Sequence, residues 1–154
     1  MTAPQLSSQD VRTDLSTRQA PLKWVIVVDG TLAAGRAANA AACLAAAVGK
    51  ALPQLLGPDV KDASGGVHPG LPWAGCSVLA APAETLRAIR GKAAARDDLL
   101  VVDMPGQAQT SRLYDEYTAQ IGETAEEDFD YLAVSLVGPR NPVSRLVGGL
   151  PLFG

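Results

Sequence analysis

The apolar residues of this chain fall in short unbroken runs separated by polar or Gly/Pro-rich breaks. Trp24-Val25-Ile26-Val27-Val28, Gly75 to Ala81, Leu99 to Val102 and Phe129 to Val137 are the four runs with strand character. Continuous rather than alternating hydrophobicity predicts strands covered on both faces, as in an α/β sheet. Helical patterns lie between them. Gly35 to Lys50 is mostly alanine, the best helix former, interrupted by Arg36, Asn39 and Cys43. Thr31 as N-cap, or Asp29 within the turn, would open this helix, and Gly49 and Pro53 would close it. Pro82 at a first helical position, with Glu84 in the first turn, opens a second helix to about Ala95. Leu86 and Ile89 form its apolar face, while Arg87, Arg90, Lys92 and Arg96 make its wet face basic.

Leu113, Tyr117 and Ile121 recur at i, i+4 and i+8, which predicts a third helix over Thr110 to Ile121, ended by Gly122. The third strand is expected to end at Asp103, with Met104-Pro105-Gly106 as a turn. An acidic stretch follows over 123–128, with the length of one helical turn. Gly138-Pro139 breaks the fourth strand. Asn141 as cap and Pro142 at the first position predict a last helix through about Leu146. The order is strand, helix, four times over, which is α/β layering. Residues 1–22 read as a flexible tail or a segment leaning on the body, and 23–154 as one domain. Leu55 to Trp73 holds seven glycines and prolines. It is a long connection, with a short strand near Val60 or Val67, of the kind where function concentrates.

Composition narrows the classes. The chain has 154 residues, 47% hydrophobic and 19% charged, enough for one core and unlike a disordered chain. Net charge is −3, so the surface has no general attraction for nucleic acid or an anionic membrane. No apolar run reaches membrane-spanning length, and Met1 to Gln19 lacks the apolar core of a signal peptide; the expected location is the cytoplasm. Cys43 and Cys76 sit in apolar contexts and read as buried small hydrophobes. With the lone His68 they do not make a zinc set, and no cofactor is expected.

No phosphate-binding glycine loop, nucleophile elbow or zinc-protease motif is present. Three features carry candidate chemistry. Arg36 and Asn39 share a face near a helix start, where an arginine beside free backbone N–H groups can hold an anion. Asp103 at the carboxyl end of a strand could orient a water or serve as a base; equally, it could cap the turn. The basic face of the second helix could meet phosphates, although it lacks interleaved aromatics.

Trp24 to Val28, Asn39 to Ala45, Asp62-Ala63-Ser64-Gly65, Ala80 to Leu86, Leu132 to Gly138 and Val143 to Leu150 together resemble an uncharacterised bacterial family with a fold similar to type II peptidyl-tRNA hydrolase. The likeness spans about 23–153. It implies a three-layer α/β domain, a four-stranded mixed sheet with helices on both faces, and a homodimer. In the hydrolase pattern a lysine follows a glycine at the first helix; Gly35-Arg36 stands there. The polar Gln-Cys-Ser-His signal is replaced by Ala-Cys-Leu-Ala at 42–45. The hydrolase aspartate matches Asp103, and its threonine position falls on Gln107, with Thr110 nearest. These departures argue against ester hydrolysis on tRNA, as does the acidic balance.

Three readings follow. The first is a domain binding a small anionic ligand in a cleft of Arg36, Asn39, His68, Asp103 and Gln107 beside the 58–73 loop. The second is a peptidyl-tRNA hydrolase-like ester hydrolase, with Asp103 activating water and Arg36 offsetting negative charge. The third is a dimeric interaction module without an active site.

Overall fold

A computed structural model describes residues 4–154. Its centre is a four-stranded sheet in the order β4-β1-β6-β5. β1 (Leu22–Asp29) pairs in parallel with β4 (Ser77–Ala81) and antiparallel with β6 (Tyr131–Pro139), which pairs antiparallel with β5 (Leu100–Pro105). β1, β4 and β5 therefore run the same way, and their carboxyl ends share one edge of the sheet. The sheet is mixed, four-stranded and covered on both faces, as expected.

The unbroken run of β1 divides between two cores because successive side chains point to opposite faces. Trp24, Ile26 and Val28 face α1 (Ala34–Ala51), whose Ala37, Ala40, Leu44 and Val48 are buried. Val25 and Val27 face α2 (Ala83–Ala94) and α5 (Arg140–Val147), where Leu86, Ile89, Ala93, Val143 and Val147 are buried. Alanine at 37 and 40 lets α1 lie close on the sheet. One polar side chain enters this core: Ser135 is fully buried and its Oγ accepts the Trp24 indole N–H at 2.9 Å. Ser135→Ala is expected to cost about 1–2 kcal/mol, the loss of a partner for a buried donor. Urea unfolding measures it, and an unchanged midpoint would show that this bond does not hold Trp24.

The long connection after α1 is ordered differently from a plain loop. A 3-10 turn at Pro53–Leu55 leads to a small hairpin, β2 (Val60–Lys61) and β3 (Val67–His68). Its tip explains the Asp-Ala-Ser-Gly motif. Asp62 Oδ1 accepts the N–H groups of Ser64 and Gly66 at 2.8 and 2.9 Å, and Gly65 takes a φ of +88° that suits glycine. At the hairpin neck the chains approach so closely that a Cβ on Gly70 would strike the Gly57 carbonyl.

Several boundaries shift from expectation. β5 continues through Pro105, so Asp103 lies inside the strand rather than at its end. Pro105 is accommodated at a register shift opposite Tyr131. The single helix expected over 110–121 is two, α3 (Gln107–Thr110) and α4 (Tyr114–Glu123). Asp29, not Thr31, organises the turn after β1: its Oδ1 accepts the Thr31 N–H and hydroxyl at 2.9 and 2.8 Å, and Ala33 is the N-cap of α1. Pro82 is the N-cap of α2 rather than its first residue, and Pro139, not Asn141, occupies that position in α5.

The outer edge of β4 is paired by the chain's own end, through Ala80 N–H to Pro151 O at 2.9 Å and Phe153 N–H to Val78 O at 3.0 Å. Before β1, Ala20 is buried, and Arg140 donates to the carbonyls of Thr17 and Ala20. Met1 to Ala3 of the expected tail lie outside the described residues.

Candidate functional site

α1 follows β1 and α3 follows β5, so both start at the edge where the carboxyl ends of the co-directional strands lie, the usual place for ligands in α/β sheets. There Gln109 of α3 joins two of the expected residues. The Arg36 Nε–H donates to Gln109 Oε1 at 2.8 Å. The Gln109 amide donates back to the Arg36 carbonyl at 2.9 Å and to Asn39 Oδ1 at 3.1 Å. Gly35, Arg36, Asn39, Ala108 and Gln109 line an open depression of about 430 Å³. Among the described residues no carboxylate forms an ion pair with Arg36. Its terminal guanidinium nitrogens therefore face solvent with their charge unspent.

Asp103 is engaged elsewhere. Arg90 of α2 donates from Nε to Asp103 Oδ2 at 3.0 Å and from Nη1 to Glu126 Oε1 at 2.7 Å, and its guanidinium lies 5.2 Å from the Tyr131 ring centroid. Asp103 also borders a second, larger cavity of about 480 Å³ between α1, β5 and α4. Its walls include Cys43, Leu44, Ala47, Met104, Tyr114 and Tyr117. Burial pushes the Tyr117 phenol up, with the charges of Tyr114 and Asp103 adding to the shift.

His68 and Gln107 join neither group. His68 Nε2 lies 3.2 Å from Asp62 Oδ2 on the exposed hairpin, while Gln107 donates to Thr124 Oγ1 at 3.4 Å. The cleft expected from the sequence is thus divided: Arg36 and Asn39 meet, Asp103 borders a neighbouring cavity, and His68 and Gln107 are held apart.

Of the basic face expected on α2, the three arginines are engaged within the chain, while Lys92 is exposed. Arg87 donates to the carbonyls of Glu127 and Phe129, Arg90 holds Asp103 and Glu126, and Arg96 forms two bonds with Asp98. The acidic stretch over 123–128 supplies part of this neutralisation. Both cysteines are exposed, correcting the expectation of burial. Cys43 occupies the groove wall because α1 turns it toward β5 rather than into the sheet. Although Cys76 is exposed, partial desolvation of its sulfur beside β1 pushes the thiol up to about 12, leaving it a poor nucleophile. Among the described residues no three His, Cys, Asp or Glu side chains stand close enough to hold a metal ion. No helix there is long and apolar enough to cross a membrane.

Sequence reasoning missed Gln109 and the partnership of Arg90 with Asp103. Gln109 lies 73 positions from Arg36, and a glutamine in a short polar stretch carries no period that would mark it. Arg90 gave a clearer signal: its place beside Leu86 and Ile89 on one helix limits how far it can turn from the sheet.

No curated protein matches the chain significantly. A solved structure, that of a protein of unknown function from Agrobacterium tumefaciens, is similar with a TM-score of 0.80 and 18% identity. The match covers 87% of this chain and 98% of that one. At that identity the likeness is one of fold. The sequence likeness is firmer, since residues 22–153 match the family described as protein of unknown function, DUF2000, and the chain belongs to that family.

Proposed function

We propose that this domain binds a small anionic ligand, with the anion held by Arg36 and Asn39 and with Gln109 as the brace that orients them. The observation carrying this reading is the Gln109 bridge, which fixes Arg36 Nε while leaving its remaining N–H donors uncommitted. A planar guanidinium held on one side is well suited to a carboxylate or phosphate on the other. Asp103 takes no part in this reading, because Arg90 already uses its charge. The same pairing makes water activation by Asp103, the hydrolase reading, the less supported alternative. Following the resemblance, we further propose a likeness to the type II peptidyl-tRNA hydrolase fold, pairing of two copies and a cytoplasmic setting. The exposed α1 face carrying Ala38, Ala42 and Ala46 offers room for a second copy to approach.

Acetate and inorganic phosphate titrations, followed by NMR at the Arg36 Nε–H and the Gln109 side-chain amide, test the anion site. Both signals are expected to shift saturably with at least one of the two anions. Arg36→Ala is expected to weaken that binding at least tenfold. Undiminished binding in the variant, or shifts no different from those of exposed Arg18, would remove the assignment.

A further inference from the structure

The anion depression and the larger cavity are neighbours along one helix. Ala108 of α3 lines both. On α1, Arg36, Asn39, Cys43 and Ala47 follow at helical spacing and are all exposed, the first two in the depression and the last two in the cavity. The eleven steps of α-helix from Arg36 to Ala47, at 1.5 Å rise, make this track roughly 16 Å long. Its chemistry changes along its length. One end carries Arg36, Asn39 and Gln109. The other is walled by Leu44, Val102, Met104, Leu113 and the paired rings of Tyr114 and Tyr117, whose centroids lie 5.5 Å apart.

α4 shows that this wall is not ordinary core. None of its residues is buried; Tyr114 is 78% exposed, and Leu113, the residue that caps the helix, is 64% exposed. Its bulky side chains therefore gain little from the fold itself and stand at the cavity mouth. A cavity of about 480 Å³ with apolar walls and few polar groups lies within the size range of small-molecule sites. Asp103 at its border does not repel an anion strongly, since Arg90 compensates its charge.

We propose that the ligand is an amphipathic monoanion, its carboxylate or phosphate at Arg36 and Asn39 and its apolar tail in the cavity between α1, β5 and α4. This rests on the anion reading above and adds the tail to it. Cys43 stands on the tail's path, so its thiol reports occupancy. Arg112 also borders the cavity and defines the opposite orientation, with the head at the α4 side.

Three probes separate the parts: acetate carries the head alone, decanol the tail alone, and decanoate below its micelle concentration carries both. Iodoacetamide labelling of the intact protein, read peptide by peptide, follows Cys43, with N-acetylcysteine in the same solution as the control. Decanoate is expected to slow Cys43 labelling at least fivefold, with less than a twofold effect from acetate or decanol and none on N-acetylcysteine. It is expected to bind at least tenfold more tightly than acetate. Arg36→Ala should lose the protection and Arg112→Ala should keep it. Ala47→Trp, at an exposed position, should fill the cavity and abolish decanoate protection while acetate still binds.

Decanoate binding no tighter than acetate, with Arg36 dependence intact, overturns the tail and leaves the anion site standing. Decanol protecting as well as decanoate, or protection lost in Arg112→Ala instead of Arg36→Ala, overturns the placement of the head. Absence of any Arg36-dependent response to either anion overturns both readings together.

Discussion

Leu86→Ala is expected to remove about 2–5 kcal/mol of folding stability, the range for deleting a fully buried leucine when the surroundings collapse only in part. Leu86 is 0% exposed and lies where α2 meets α5 and the sheet, with Ile89, Ala93, Val143 and Val147 in the same core. These neighbours sit on regular elements that cannot easily close a hole. Leu113→Ala is the matched control: the same atoms leave a residue that is 64% exposed, and the cost should stay below about 0.5 kcal/mol. Urea unfolding of both variants measures the difference, with slopes unchanged because the surface exposed on unfolding is nearly the same. Equal losses in the two variants would contradict the layer assigned to α2.

That pair also marks what the residue pattern does and does not specify. Leu86 with Ile89, three apart on a helix between two strands, implies a core face, and both are buried. Leu113, Tyr117 and Ile121 show an equally regular spacing, yet α4 buries none of its residues. Periodicity reports that apolar groups share a side of a helix. Whether another layer covers that side depends on the sheet's width, and here the sheet ends at β5, leaving α4 beyond its edge. The strands of the central sheet were legible for the opposite reason: covered on both faces, each becomes an unbroken apolar run. The turn expected at Met104-Pro105-Gly106 went wrong at Pro105, because an edge strand tolerates a residue without a donor where its register shifts.

The site was legible only in part. Arg36 and Asn39 could be placed together because three residues of helix put them on one face. Their brace could not, since Gln109 comes from the far side of the sheet order, after β5. Asp103 was recognised as an unusual carboxylate at the end of an apolar run. Its role depends on what faces it, and the facing group is contributed by α2, read separately as a solvated basic surface. A helix wheel shows Arg90 next to the buried side but cannot show that a carboxylate waits one layer below.

Arg90→Ala is expected to cost about 1–3 kcal/mol, and this prediction separates a structural Asp103 from a catalytic one. The Arg90 and Asp103 side chains are 19% and 27% exposed, so each is partly withdrawn from water and relies on the other. Removing the arginine leaves the carboxylate half-buried without its donor, and strips the cation from the Tyr131 ring. The Glu126 arm adds little, since Glu126 is largely exposed, and Glu126→Gln should cost less than about 0.5 kcal/mol. Asp103→Asn keeps an acceptor for Arg90 Nε but loses the charge, so its cost should fall between these, near 1 kcal/mol. The double variant Arg90→Ala/Asp103→Asn should cost less than the two singles added together, because each single already breaks the same bond. Acetate binding, if it belongs to Arg36, should remain within twofold of the parent in all these variants. Strict additivity in the cycle would show that the 3.0 Å contact contributes no coupling. Loss of anion binding in Arg90→Ala, with the protein still folded, would instead move the anion to the α2 side of β5. A strand that ends its apolar run on a carboxylate then has a physical reason for it: the charge ties the edge of the sheet to the helix above it.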